Sequence, residues 1–172
     1  MNKKNILVVL CFSFLCLVSV VSIAAILHDE DEAINVVSIG KNNIEIIEEF
    51  TPPDDVVPGD IFLKKPMVKN TGPVPCYVRI FAEFNDNKVA DVSSINLNTS
   101  KWTEKQSDGY YYYKSILKPG ETTEPLFTQV SIDEDAKSED IQSFDIIVYA
   151  ESVQSDFYST YNEAFRSLEH HK

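Results

Sequence analysis

Histidine is nearly missing from these 172 residues: it occurs only at His28, His170 and His171. A Ser/His/Asp or Cys/His nucleophile therefore has no imidazole base between residues 29 and 169. The H-E-x-x-H zinc pattern is missing too, because Glu169-His170-His171 lacks the i, i+4 spacing that sets two imidazoles on one helix face. Glycine, at five copies, is too scarce to compose a phosphate-cradling loop. Of three cysteines, Cys11 and Cys16 fall in an N-terminal apolar run, which leaves Cys76 without a disulfide partner. Beside Tyr77 and Val78 it reads as a small buried hydrophobe. Basic residues are also short, fifteen against twenty-seven acidic, for a formal charge of −12. That sign excludes a nucleic-acid surface and electrostatic attachment to anionic lipid. No enzyme, metal or cofactor is expected from this inventory.

What is present begins at the N-terminus. Lys3 and Lys4 precede an uncharged apolar run from Ile6 to Leu27, and Asp29-Glu30-Asp31-Glu32 follows. That polarity is the pattern of an export signal helix, with the lysines on the cytoplasmic side. Cleavage is expected after Ala24 or Ala25. The run is long enough to span a bilayer, so a retained anchor is the alternative, and it is the only membrane contact expected. The expected layout is a signal over 1–25, an acidic segment with a strand over 26–42, and one domain over 43–172. After removal of the two leader lysines the net charge is about −14.

Beyond residue 33 the hydrophobic period is mostly two. Val36–Ile39, Ile61–Lys64, Cys76–Phe84, Thr122–Val130 and Ile146–Ala150 read as strands. Pro58-Gly59, Asn70-Thr71-Gly72-Pro73, Asp108-Gly109 and Pro119-Gly120 punctuate them as turns. Many short strands with frequent turns predict an all-β fold, an antiparallel sandwich of jelly-roll or Ig-like type. Residues 86–100, rich in Asn and Ser, read as a long loop or insertion. Between Asp156 and Leu168, apolar residues spaced by three and four predict a short C-terminal amphipathic helix.

Four tyrosines in a row, Tyr110–Tyr113, stand out. In a strand they alternate faces, and Tyr111 with Tyr113 are taken as the candidate interface pair, tyrosine being enriched at interfaces. Lys64, Lys65 and Lys69, with Asn70, raise an isopeptide bond, although no spacing identifies a pair. Asp133-Glu134-Asp135 and Asp29–Glu32 are carboxylate runs without an EF-hand pattern.

Several stretches together resemble one known family. Ala24-Ala25 through Ile46, Pro58-Gly59-Asp60, Lys65-Pro66-Met67-Val68-Lys69-Asn70-Thr71-Gly72 and Cys76-Tyr77-Val78-Arg79 look like its N-terminal half. Trp102, Asp108–Tyr113, Pro119-Gly120-Glu121-Thr122-Thr123 and Tyr149–Gln154 continue the likeness. The family is that of Gram-positive proteins exported with a SipW-type alternate signal peptide, which includes TasA and camelysin. Ile26 and Leu27 stand where that family has aromatics. The resemblance implies an exported, non-enzymatic fibre subunit of the biofilm matrix or cell surface, its signal removed by signal peptidase. It also implies self-association by addition of an N-terminal strand, here Ile34, Val36 and Ile39. A monomeric exported binding or adhesion module is the alternative, and a secreted hydrolase the third reading.

Overall fold

The computed structural model describes residues 35–38, 43–50, 55–141 and 144–169. The chain divides into Met1–Ala33 and Ile34–Lys172, and the first unit lies wholly outside the described residues. So do the expected cleavage positions Ala24 and Ala25, and Ile34 and Ile39.

Eight strands are described: β1 (Asn35–Ser38), β2 (Ile44–Phe50), β3 (Ile61–Asn70), β4 (Cys76–Phe84), β5 (Ser93–Ile95), β6 (Tyr110–Tyr112), β7 (Gln129–Ile132) and β8 (Ile146–Gln154). They form two four-stranded sheets, one in the order β1-β8-β4-β6 and the other β2-β3-β7-β5. Every described pairing is antiparallel except β1 with β8, which is parallel from Asn35↔Tyr149 to Ser38↔Ser152. The two sheets share one core. Ile44, Ile46, Val68 and Val130 come to it from one sheet, and Val78, Ile80, Tyr111 and Ala150 from the other. This is the expected all-β, sandwich-like architecture with a C-terminal helix.

The alternation in β4 explains why it is central. Cys76, Val78, Ile80 and Ala82 are buried between the sheets, while Tyr77, Arg79, Phe81 and Glu83 stand on the outer face. The strand β3 is longer than expected because it continues through Pro66. Lys64, Val68 and Asn70 donate their backbone N–H groups toward residues 121–128, and Pro66 accepts from Leu126 on that side. The donor that Pro66 lacks thus falls away from β2, where the ladder is continuous. The strand expected over 122–130 is reduced to β7, and residues 122–126 instead bond to β3 singly.

Two further expectations are corrected. Residues 86–100 are not a plain loop: they hold helix α1 (Asn87–Asp91) and β5. Asp86 caps α1 by accepting from the Lys88 N–H at 2.8 Å, and Val89 is fully buried. The expected C-terminal helix is α2 (Tyr161–Glu169), starting later than its apolar spacing suggested. Thr160 precedes it, its hydroxyl accepting from the Glu163 N–H at 3.3 Å.

Lys64 is an inward-facing lysine, its side chain only 7% exposed. It pairs with Glu48 of β2 at 2.7 Å and lies 4.5 Å from the Phe50 ring.

Candidate functional site

The densest chemistry lies on the outer face of the β8-β4-β6 sheet. Cross-strand register sets the residues in rows: Tyr149, Phe81 and Tyr110 form one, Glu151, Arg79 and Tyr112 the next. Beyond them Tyr77 and Val153 pair beneath α2, which seats Ala164 and Phe165 on Tyr77 and Tyr112.

Arg79 is the hub. Its guanidinium donates to Glu151 at 2.7 and 2.5 Å, to Asp108 at 3.1 Å and to the Tyr112 hydroxyl at 2.9 Å. The Tyr110 ring lies 4.0 Å from it and the Phe165 ring 4.5 Å. A planar cation with five fixed donors suits this combination of two carboxylates and stacked rings. Tyr112 donates in turn to Asp108 at 2.5 Å, and Tyr149 to Glu151 at 3.1 Å. Asp108 reaches the cluster through the Asp108-Gly109 turn, where Gly109 has φ +86° and a Cβ would stand 3.2 Å from the Phe81 ring. With Arg79 neutralised twice over, the site offers no free positive charge to an anion. Its geometry does one thing plainly: it ties β4, β6, β8 and α2 together.

Burial pushes the hydroxyls of Tyr112 and Tyr149 up to about 12 from 10.0, helped by Asp108 and Glu151 respectively. Burial alone pushes the Cys76 thiol up to about 12 from 9.0. For an acid whose folded-state pKa is raised, the stability contribution is complete below the unfolded value and is lost as pH climbs toward the folded one. Unfolding free energy, measured by urea titration, is therefore expected to hold to about pH 9 and fall from there toward pH 12. A stability that rises across that window would contradict the burial of these groups.

The second feature is the outer edge of β8. Val36 pairs with Ala150 there, so the described part of the expected donor strand lies on the edge of its own domain. Among the described residues β1 pairs with Tyr149–Ser152 of a strand that runs from Ile146 to Gln154. Ile146 and Val148, which face the core side below it, are only half-buried. A third feature is a cleft of about 170 Å³ between the sheets, lined by Ala82, Phe84, Ile95, Tyr111 and Ile146. The buried Ser93 hydroxyl beside it has no partner among the described residues.

The tyrosine expectation is overturned. Tyr111 and Tyr113 are the inward pair, each 8% exposed, and the Tyr113 ring packs at a tilt against the fully buried Trp102, 4.9 Å between centroids. Strand pairing of Tyr112 with Arg79 and Tyr111 with Ile80 fixes that parity. Tyr110 and Tyr112 face outward, into the arginine cluster. Three of the four isopeptide candidates, Lys64, Lys65 and Asn70, are engaged elsewhere. Lys65 pairs with Glu49 at 2.9 Å, and the Asn70 carboxamide is consumed by backbone bonds to Val74, Leu117 and Gly72. Sequence reasoning passed over Arg79; its place in a Tyr-x-Arg-x-Phe alternation on one strand face was the available signal.

Among the described residues, no group of three or more His, Cys, Asp or Glu side chains is arranged to hold a metal ion, and no helix is long and apolar enough to cross a membrane. No protein-family model, curated protein or solved structure matches the chain.

Proposed function

We propose that this is an exported, non-enzymatic structural protein whose subunits join by N-terminal strand addition into cell-surface or matrix fibres. The observation that carries the reading is the strand order. β2-β3-β7-β5 follows the A-B-E-D sheet of an immunoglobulin sandwich, and β4 and β8 follow its C and F strands. In that sandwich the last strand, G, pairs beside F. Here the chain after β8 goes into α2 instead, and the G position is taken by β1 from the N-terminal side. The fold is thus read as Ig-like but one strand short, with its last edge served by a terminal segment. A strand supplied from outside the sandwich is a general mode of recognition, in which main-chain hydrogen bonds supply affinity. The apolar leader, the acidic charge and the resemblance to the TasA-like exported proteins support the location and the assembled state. Signal peptidase would free the donor segment near Ala24 or Ala25.

Deleting residues 25–40 separates this from the alternative of a monomeric surface module. A soluble, folded chain that no longer forms fibres is expected, with electron microscopy and circular dichroism as the readouts. Unchanged fibres would exclude strand addition, and an unfolded chain would make β1 a purely internal strand.

A further inference from the structure

We infer that Phe157 of one copy seats in the cleft between the sheets of another, a contact separate from the strand addition proposed above. Phe157 is the most exposed large apolar side chain among the described residues, at 80%. It stands in the turn Ser155–Tyr158, closed by the Tyr158 N–H donating to the Ser155 carbonyl at 3.0 Å. Both ends of that turn are tied to the sandwich. The Ser155 N–H donates to the Pro75 carbonyl at 3.0 Å, and the Tyr158 carbonyl accepts from the Tyr77 hydroxyl at 3.3 Å. A ring presented on a backbone already fixed loses little freedom when it docks.

The cleft fits such a ring in size and in lining. Its volume is about 170 Å³, and an apolar cavity of about 150 Å³ holds benzene. Phe84, Ile95, Phe127 and Ile146 give it apolar walls. Its one charged neighbour, Glu83, is held by Lys105. Ring and cleft lie at opposite ends of the sandwich. Phe84 ends β4 and Ile146 begins β8, whereas Phe157 comes three residues after β8 ends at Gln154. Nine strand residues span about 26 Å, so a chain cannot fill its own cleft. A knob and a cleft at separate places make a heterologous contact, which repeats wherever the copies do not close on each other.

The area involved says which partner can use the contact. A phenylalanine buries about 150–250 Å², and even with an equal area of cleft wall this falls far short of the roughly 1,000 Å² that a stable interface clears. A stranger meeting the cleft through one ring would not stay. A second copy brings the ring in a fixed setting, and where subunits are already joined the contact forms at high effective concentration. Only that persistence rests on the strand-addition reading; the fit of ring to cleft does not.

The test is an NMR titration between free copies. The receiver is the exported chain carrying Phe157→Ala, labelled on its isoleucine methyl groups, and the titrant is the unlabelled, unaltered chain. Ile95 and Ile146, in the cleft, are expected to shift, while Ile116, beside Leu117 at the other end of β4, stays still. With Phe157→Ala chain as titrant the same shifts should need at least about tenfold more protein, the effect of losing one buried ring. Adding Ser94→Trp to the receiver, at an exposed residue of the cleft rim, should abolish them. Equal shifts with both titrants, or none with the unaltered chain, would overturn the seating of Phe157 and leave strand addition standing. Loss of fibres on deleting residues 25–40 tests strand addition alone.

Discussion

Arg79→Ala is expected to lower the unfolding free energy by about 4 kcal/mol, the range found when one partner of a buried ion pair is removed. The guanidinium is 11% exposed and Glu151 14%, so the carboxylate left behind cannot rehydrate without opening the sheet face. Asp108, at 30% exposed, recovers water more easily and adds less. Phe165 loses the cation it stacks on, and α2 loses a principal contact with β4. Urea denaturation gives the size of the loss; limited proteolysis, cutting between Ser155 and Thr160 before the rest unfolds, shows that α2 is released. Arg79→Lys keeps the charge without the fork and should recover less than half. A loss near 1 kcal/mol or below, the value of an exposed pair, would mean that the cluster is solvated and not the tie described above.

Asn70→Ala should cost about 3 kcal/mol, because three backbone groups each lose a side-chain partner in a largely buried setting. Asn70 is fully buried. Its amide donates to the Val74 carbonyl at 2.8 Å and the Leu117 carbonyl at 3.0 Å, and its oxygen accepts from Gly72 at 2.9 Å. Its own main chain bonds Glu121 and Gly120. One residue therefore holds the β3–β4 turn against the loop after Leu117. Asn70→Asp should be no better than alanine: it keeps the bond to Gly72 but turns an oxygen on two carbonyls. A differential scanning calorimetry shift below about 5 °C for either variant would be too small for a loss of this size in a domain of this length.

Much of the fold was legible because the strands that matter alternate cleanly. Cys76–Phe84 showed both its faces, and the turn residues marked where strands end. What stayed hidden follows from physics that a linear pattern does not carry. Residues 86–100 looked like loop because α1 hides a single valine under a polar surface and β5 pairs through only three residues. The parity of Tyr110–Tyr113 was unreadable because four identical residues give either answer; only the register with Arg79 and Ile80 decides it. Arg79 was missed since its partners Asp108 and Glu151 lie 29 and 72 residues away. The strand-like character of Val36–Ser38 was legible, but its parallel partner was not, because composition says nothing about direction.

The Lys64–Glu48 pair bears on how the sandwich meets its surroundings. Its carboxylate, on an edge strand, keeps 31% of its surface in water. A foreign strand laid along β2 would strip that water from the carboxylate, a penalty that native edges use to turn away unwanted pairing. That flank of the sandwich is thereby guarded, by a charge that must stay in water, against any newcomer's backbone.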